Sequence, residues 1–375
     1  MTGCGRRPEV LGARALNRAT LERQLLLRRS TLSVLEAVER LVGLQAQIPL
    51  NPYTALWSRL DDFRPEALAQ LLEERRVVRL PLMRSTIHLV SADDCLELRP
   101  LVQPVLDGEL ARHPEYGPAL RDVDLRPVLA AARLLLAERP RTGGELRAEL
   151  GKRFPDANAA ALAYACRNRL ALVQVPPRGL WGRTSQVTST TAEAWLGRPL
   201  SRKPSIENAV LRYLAAFGPA RVADLAMWSR LTGLREVVER LRPQLRTFRD
   251  ERGRELFDLP HAPRPDPDVP APPRFLPEYD NVLLSHADRS RFAIDRARFS
   301  WVRAPIQGTV LFDGVVCGTW RVEQERREER ATLVVELVVR LSKRAQAAVA
   351  AEGRRYLRFA GEHATEHEVR LVATT

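Results

Sequence analysis

Between residues 205 and 260 the hydrophobic pattern changes period in an ordered way. SIENAVLRYLAAFG places apolar residues at helical spacing and stops at Gly218 and Pro219. ARVADLAMWSRL predicts a short second helix closed by Thr232 and Gly233, and LREVVERLRPQL a third. TFRDERGRELFDL then alternates apolar and polar residues around Glu251-Arg252-Gly253, which predicts two strands and a turn. Helix, short helix, helix and two-stranded wing is the order of a winged helix, a helix-turn-helix variant that commonly docks on DNA.

The order recurs twice upstream. RPVLAAARLLLAERP, RTGGELRAELGKRF and DANAAALAYACRNRLAL predict three helices, the second entered through Thr142, the third capped by Asp156 or Asn158. VQVPPRGLWGRTSQVTSTT alternates around Pro-Arg-Gly as a second wing. Earlier, LSVLEAVERLVGL, NPYTALWSRL and RPEALAQLLEERR precede the strand-like VVRLPLMRSTIHLVS. Each copy is small for an independent core, so the three should pack on one another.

After Pro260 the text changes. HAPRPDPDVPAPPRF is too proline-dense for a helix or central strand and reads as a wrapping linker. NVLLSHAD, APIQGTVLFDGVVCGTWRVEQ and ATLVVELVV read as strands, with Asp313-Gly314 as a tight hairpin turn. Residues 342–353 read as a helix and LRFAGEHATEHEVRLVA as a closing strand; a small β-barrel or half-barrel accommodates the set. The expected fold is α+β, with winged-helix domains at 8–118, 119–200 and 201–260 and a C-terminal β-barrel domain at 261–375.

Composition narrows the partners. With 45% hydrophobic and 28% charged residues the chain has globular proportions. No apolar run reaches the roughly 18 to 20 residues that span a bilayer, and MTGCGRRPEV has no signal-like core. A cytoplasmic protein without membrane contact is expected, and a monomer. Basic residues number 59 against 46 acidic ones, and all but Lys152, Lys203 and Lys343 are arginine. A GC-rich genome accounts for arginine over lysine; the net charge of +13 favours a polyanionic partner such as nucleic acid. Cys4, Cys95, Cys166 and Cys317 form no CxxC pair, and His363 and His367 lie four apart in a strand-like stretch that makes no tight chelate. There is no Walker loop and no GxGxxG, so neither metal nor cofactor is expected.

The candidate chemistry lies in LVGLQAQIPLNPYTALW. The first helix must end near Gly43, and Pro49 and Pro52 keep it from resuming. Gln45 and Gln47 then share one face of an extended segment while Leu44, Ala46 and Ile48 turn to the core. Two duties fit: bonding the exposed carbonyls of the helix end, or presenting two amides to an adjoining space. Met83-Arg84-Ser85-Thr86-Ile87-His88 is the next candidate, with Arg84 and Ser85 for phosphate and His88 either lining the cleft or satisfied within a strand. Arg183 and Lys203 are further candidates for backbone contacts. Trp181, Trp228 and Trp320 read as core, and Asp280 and Asp288-Arg289 as structural.

GLQAQIPLNPYTALWSRL and MRSTIHLVSADD resemble the winged-helix DNA glycosylases of the AlkZ and YcaQ kind. So do RTSQVTSTTAEAWLG, VLRYLAAFGPARVADLAMWSRL, LPEYDNVLLSHADRSR and GTVLFDGVVCGTWR, and the resemblance runs from about Leu11 to the end. It implies tandem winged helices and a β-barrel, double-stranded DNA as partner, and cleavage of the N-glycosidic bond of alkylated purines, chiefly at N7 of guanine. Gln45-Ala46-Gln47 matches the family's Gln-apolar-Gln signature, which implies catalytic roles for both glutamines. Some relatives carry an acid at the second position; glutamine here implies the branch that also unhooks bulky adducts and interstrand crosslinks as self-resistance. The rival reading is a winged-helix transcriptional regulator, though LREVVERLRPQL carries Glu236 and Glu239 where a base-reading helix favours Asn, Gln or free Arg. A toxin-sequestering resistance protein is a third.

Overall fold

The computed structural model describes residues 9–292, 307–325, 330–361 and 364–373. Three stretches run helix, short strand or bridge, helix, helix, hairpin. In the first, helices Val34–Arg40, Asn51–Trp57 and Pro65–Glu73 precede strands Val77–Pro81 and Ile87–Ser91, and Leu44–Gln45 pairs with the second of these. The second has helices Leu125–Glu138, Gly143–Arg153 and Ala159–Arg169, then strands Leu172–Gln174 and Thr188–Thr191, the latter flanked by Arg141–Thr142. The third has helices Ile206–Phe217, Val222–Ser229 and Leu234–Leu241 and strands Arg246–Asp250 and Glu255–Asp258, with Ala220 bridging Phe257.

Local chemistry sets these starts and stops. Ser33 with Glu36, and Thr142 with Glu145, form reciprocal capping boxes that satisfy orphan amide hydrogens. Of the two expected caps for the third helix of the second unit, Asn158 serves, accepting from Ala160 and Ala161. Helix Val34–Arg40 ends where Val42 (φ 54) and Gly43 (φ 84) turn left-handed and the Gly43 N–H reaches the Val38 carbonyl at 2.9 Å. The helix end is thus closed by backbone, and neither glutamine bonds its carbonyls.

The units pack on each other, as small cores require. Arg79 pairs with Gln174, which joins the first two sheets edge to edge into one of six strands and removes two exposed edges. The second wing is a long excursion over residues 175–187 rather than a tight turn at Pro-Arg-Gly. It lays Trp181 against Tyr53, with ring centroids 5.0 Å apart, and Gly179 on the Tyr53 hydroxyl. Trp228 and Trp320 are buried and Trp181 is half-buried.

The N-terminal segment, counted from sequence with the first unit, packs on the third. Val10–Leu11 pairs with Arg246–Asp250, and Arg23 of helix Ala13–Arg23 makes a bidentate pair with Asp258 at 2.6 and 2.8 Å, both side chains fully buried. Arginines 14, 18 and 23 also take carbonyls of the proline-rich linker, which wraps as expected.

The C-terminal part departs from the expected barrel. Its described strands form one five-stranded sheet in the order Arg274–Leu276, Gly308–Phe312, Val315–Glu325, Arg330–Leu337, Glu366–Ala373, and no pairing joins first to last among the described residues. The last pair is parallel and needs a crossover, which helix Lys343–Ala360 supplies while burying Val349, Tyr356 and Leu357 against the sheet. That helix runs past the expected stop at residue 353 because Tyr356 and Leu357 continue its apolar face. NVLLSHAD is helical at Asn281–Leu284, since Asp280 caps it through the Val282 N–H. Asp313 (φ 48) and Gly314 (φ 78) make the expected hairpin turn; part of APIQGTV, and His363, lie outside the described residues. No described helix is long and apolar enough to cross a membrane.

Candidate active site

Gln45 sits on the short strand beside Ile87–Ser91, directly opposite His88, so the two side chains share a face of the sheet. The Ala46 N–H bonds the Ile87 carbonyl at 2.7 Å and the Ala46 carbonyl accepts from Arg79 Nη2 at 2.8 Å, which fixes the backbone between the glutamines. Gln45 is buried and its Oε1 accepts from Arg84 Nη2 at 2.8 Å. Gln47 is exposed and its Oε1 accepts from the Ile87 N–H at 3.2 Å. Leu44 and Ala46 are core residues, as expected, and Ile48 is half-buried.

These contacts decide which way each amide faces. A guanidinium and a backbone N–H only donate, so each glutamine must turn its oxygen inward and its NH2 group away. Each oxygen keeps a second lone pair. That of Gln47, engaged by one long neutral bond, remains the better acceptor; that of Gln45 is held by a cation.

Arg84 is therefore a fixture of the site before it is a phosphate ligand. It and Ser85 hold left-handed backbone (φ 58 and 61), and Arg84 Nη1 donates to the Trp228 carbonyl of the third unit at 2.8 Å. Burial, with Arg230 and Arg289 nearby, lowers its pKa to about 10, so it stays charged at neutral pH. Such left-handed turns persist only where surroundings hold them.

His88 is fully buried. Its Nδ1 meets the Thr86 carbonyl at 2.9 Å and its Nε2 has no partner among the described residues. Burial first, then the Arg84 charge, lowers its pKa to about 3, so it is neutral and no acid at physiological pH. His286, bonded to Ser285 and the Phe217 carbonyl, is lowered to about 3 in the same way. The unfolded chain binds these protons near pH 6.5 and the folded chain does not. Stability is therefore full above pH 6.5 and falls as pH drops toward 3, by up to about 1.4 kcal/mol per pH unit per histidine. Melting temperatures from pH 7 to pH 4 should fall, and His286→Gln should flatten the decline; an unchanged slope would refute the assignment.

Two cavities flank the site. Arg84 and Ser85 line one of about 760 Å³ with Arg112, His113, Tyr164, Arg230 and Thr232, drawn from all three units. Ile87, the partner of Gln47, lines another of about 330 Å³ with Tyr164, Arg141, Arg147 and Arg167. Arg112, Arg147, Arg167 and Arg230 form no ion pair among the described residues, although Glu109 lines the first cavity with Arg112 and Arg230. Arg147, Arg167 and Arg230 belong to other units than the glutamines, and Arg112 stands on a later helix of the first expected unit, Gln103–Arg112, so sequence neighbourhood pointed to none of them. Arg183 and Lys203 are exposed and line neither cavity. Asp280 pairs with Arg59 of the first unit, and Asp288 with Arg254 of the third unit's hairpin. Among the described residues no three His, Cys, Asp or Glu side chains are grouped to hold a metal.

No match is found among curated proteins. The fold is similar to that of the Streptomyces sahachiroi DNA glycosylase AlkZ, with a TM-score of 0.73, 21% sequence identity, and coverage of 97% of this chain and 100% of that one. At that identity the likeness speaks for the fold alone. The family model described as DNA glycosylase AlkZ-like matches residues 38–359, from the helix before the glutamines into the C-terminal helix. With most of its length matched, the chain belongs to the AlkZ-like DNA glycosylase family.

Proposed function

We propose that this DNA glycosylase hydrolyses the N-glycosidic bond of N7-alkylated purines in double-stranded DNA, using a water held between Gln45 and Gln47. The reading takes the three helical units as tandem winged helices and the protein as a monomer without cofactor. It extends to bulky adducts and interstrand crosslinks. The observation that carries it is the forced orientation of the two amides. The water accepts from the Gln45 NH2 group and donates to Gln47 Oε1, which leaves one lone pair for the sugar carbon. Alkylation at N7 gives the purine a formal positive charge, so the leaving group needs no acid; what remains is to place water beside an oxocarbenium-like sugar. Among the residues gathered here none is an amine nucleophile, so the enzyme is monofunctional. Arg112, Arg147, Arg167 and Arg230 supply sequence-independent phosphate contacts.

Lesion charge tests the reading. Single-turnover rates should be measurable on duplexes carrying cationic N7-methylguanine or N3-methyladenine and absent on uracil or 8-oxoguanine, because neutral His88 protonates nothing. Efficient uracil release would expose an acid that this scheme lacks. A tight, salt-resistant preference for one DNA sequence, without excision, would instead favour a regulator.

A further inference from the structure

We propose that Glu278 is a further catalytic residue of this site, its carboxylate taking the proton that the attacking water releases. The inference rests on the glycosylase reading and completes it, since the two amides hold the water but neither is a base. Residues 278–281 lie across the segment that carries the glutamines and are tied to both of its ends. The Asn51 amide donates to the Glu278 carbonyl at 2.8 Å, and the Asn281 amide to the Gly43 carbonyl at 2.8 Å. Asp280 anchors the crossing through its bidentate pair with buried Arg59, at 2.9 and 2.8 Å.

Within this fixed crossing Glu278 is anomalous. The buried acids Asp94, Asp224, Asp250, Asp258, Asp280 and Glu352 each face an arginine, while Glu109, half-buried like Glu278, takes the Tyr164 hydroxyl. The half-buried Glu278 carboxylate has no cationic partner among the described residues, in a chain whose net charge is +13. An unpaired carboxylate that has lost part of its water is costly to keep for structure alone. Burial raises its proton affinity, and bonds to its own backbone and to the Asn51 amide only partly offset that. Among the described residues, the ionisable group that senses its charge is the Tyr356 hydroxyl, which burial keeps protonated against Thr54 Oγ1 at 3.0 Å. Asp280 is committed to Arg59. Tyr279 beside it is exposed and left-handed (φ 60), a turn held by its anchored neighbours.

The step balances. The water oxygen bonds the sugar carbon as the N-glycosidic bond breaks. That bond's electron pair leaves with the purine and cancels its charge, and the water's free proton passes to Glu278. The same carboxylate sets a negative charge near the sugar cation while it forms.

The test is single-turnover excision of N7-methylguanine from a duplex by the full-length protein, from pH 8 to pH 4.5. Wild-type rate should fall as pH drops into the carboxylate's range. Glu278→Gln should lower the plateau about 100-fold or more and abolish the pH dependence, with affinity for undamaged DNA unchanged. Glu278→Asp should recover part of the rate, which a packing role would not require. A Glu278→Gln rate within about threefold of an active wild type would overturn the inference and leave the glycosylase reading standing. If that variant does not fold, a wild-type rate flat across the whole range overturns it equally. A wild type that leaves N7-methylguanine untouched would overturn the glycosylase reading, and this inference with it.

Discussion

Gln45→Ala should lower the single-turnover excision rate by about 100-fold to 1,000-fold, the range seen when one positioning hydrogen-bond group is removed from an active site. The amide geometry makes the expectation sharper than a loss-of-function result. Gln45→Glu keeps an oxygen for Arg84, and the new ion pair should hold the fold at least as well as the wild type. It has no NH2 group, so it should be as inactive as the alanine variant. Gln47→Glu keeps the acceptor that the Ile87 N–H and the water both use, and should retain substantial activity where Gln47→Ala does not. Gln45→Ala also leaves the buried Arg84 short of one acceptor, so a stability loss of about 1 to 3 kcal/mol accompanies it. Rates at saturating enzyme, read beside melting temperatures, separate the two effects. An active Gln45→Glu variant would show that the outward NH2 group is not needed and would remove the water-holding scheme.

Asp280→Asn should destabilise the protein by about 3 to 5 kcal/mol, because it leaves the guanidinium of Arg59 buried without its counter-charge. Both side chains are essentially inaccessible, and Arg59 also holds the Gln24 and Ala55 carbonyls, so the cation cannot swing out to water. The pair joins the first unit to the crossing at residues 278–281. Its loss should therefore lower excision as well as the urea midpoint. Asp280→Leu with Arg59→Met removes both charges and should recover most of the stability while leaving excision impaired, since the Asp280 cap on Asn281–Leu284 is still gone. Equal stability of Asp280→Asn and wild type would mean that water reaches Arg59 after all.

Much of the chain's order was legible locally. Capping boxes at Ser33 and Thr142, the stop after Phe217, and the Asp313-Gly314 turn are set by residues a few positions apart, so sequence alone specifies them. Misreadings came where distant partners decide. NVLLSHAD reads as a short strand, yet Asp280 caps a short helix there, held in place by Arg59, which stands 221 positions away. The closing strand was expected in a barrel, but with its parallel partner and crossover helix the described strands form an open sheet.

The candidate site divides along the same line. Sequence by itself determined that two neutral amides leave a helix end together, and that no acid or base adjoins them in the chain. Only the tertiary structure decided what they face. Arg84 lies 39 positions from Gln45, Ile87 lies 40 from Gln47, and residues 278–281 reach the segment from the opposite end of the chain. Hydrogen bonds between such positions depend on how the sheets and units pack, which no local periodicity encodes. Amide direction, arginine burial and the neutrality of His88 are consequences of that packing.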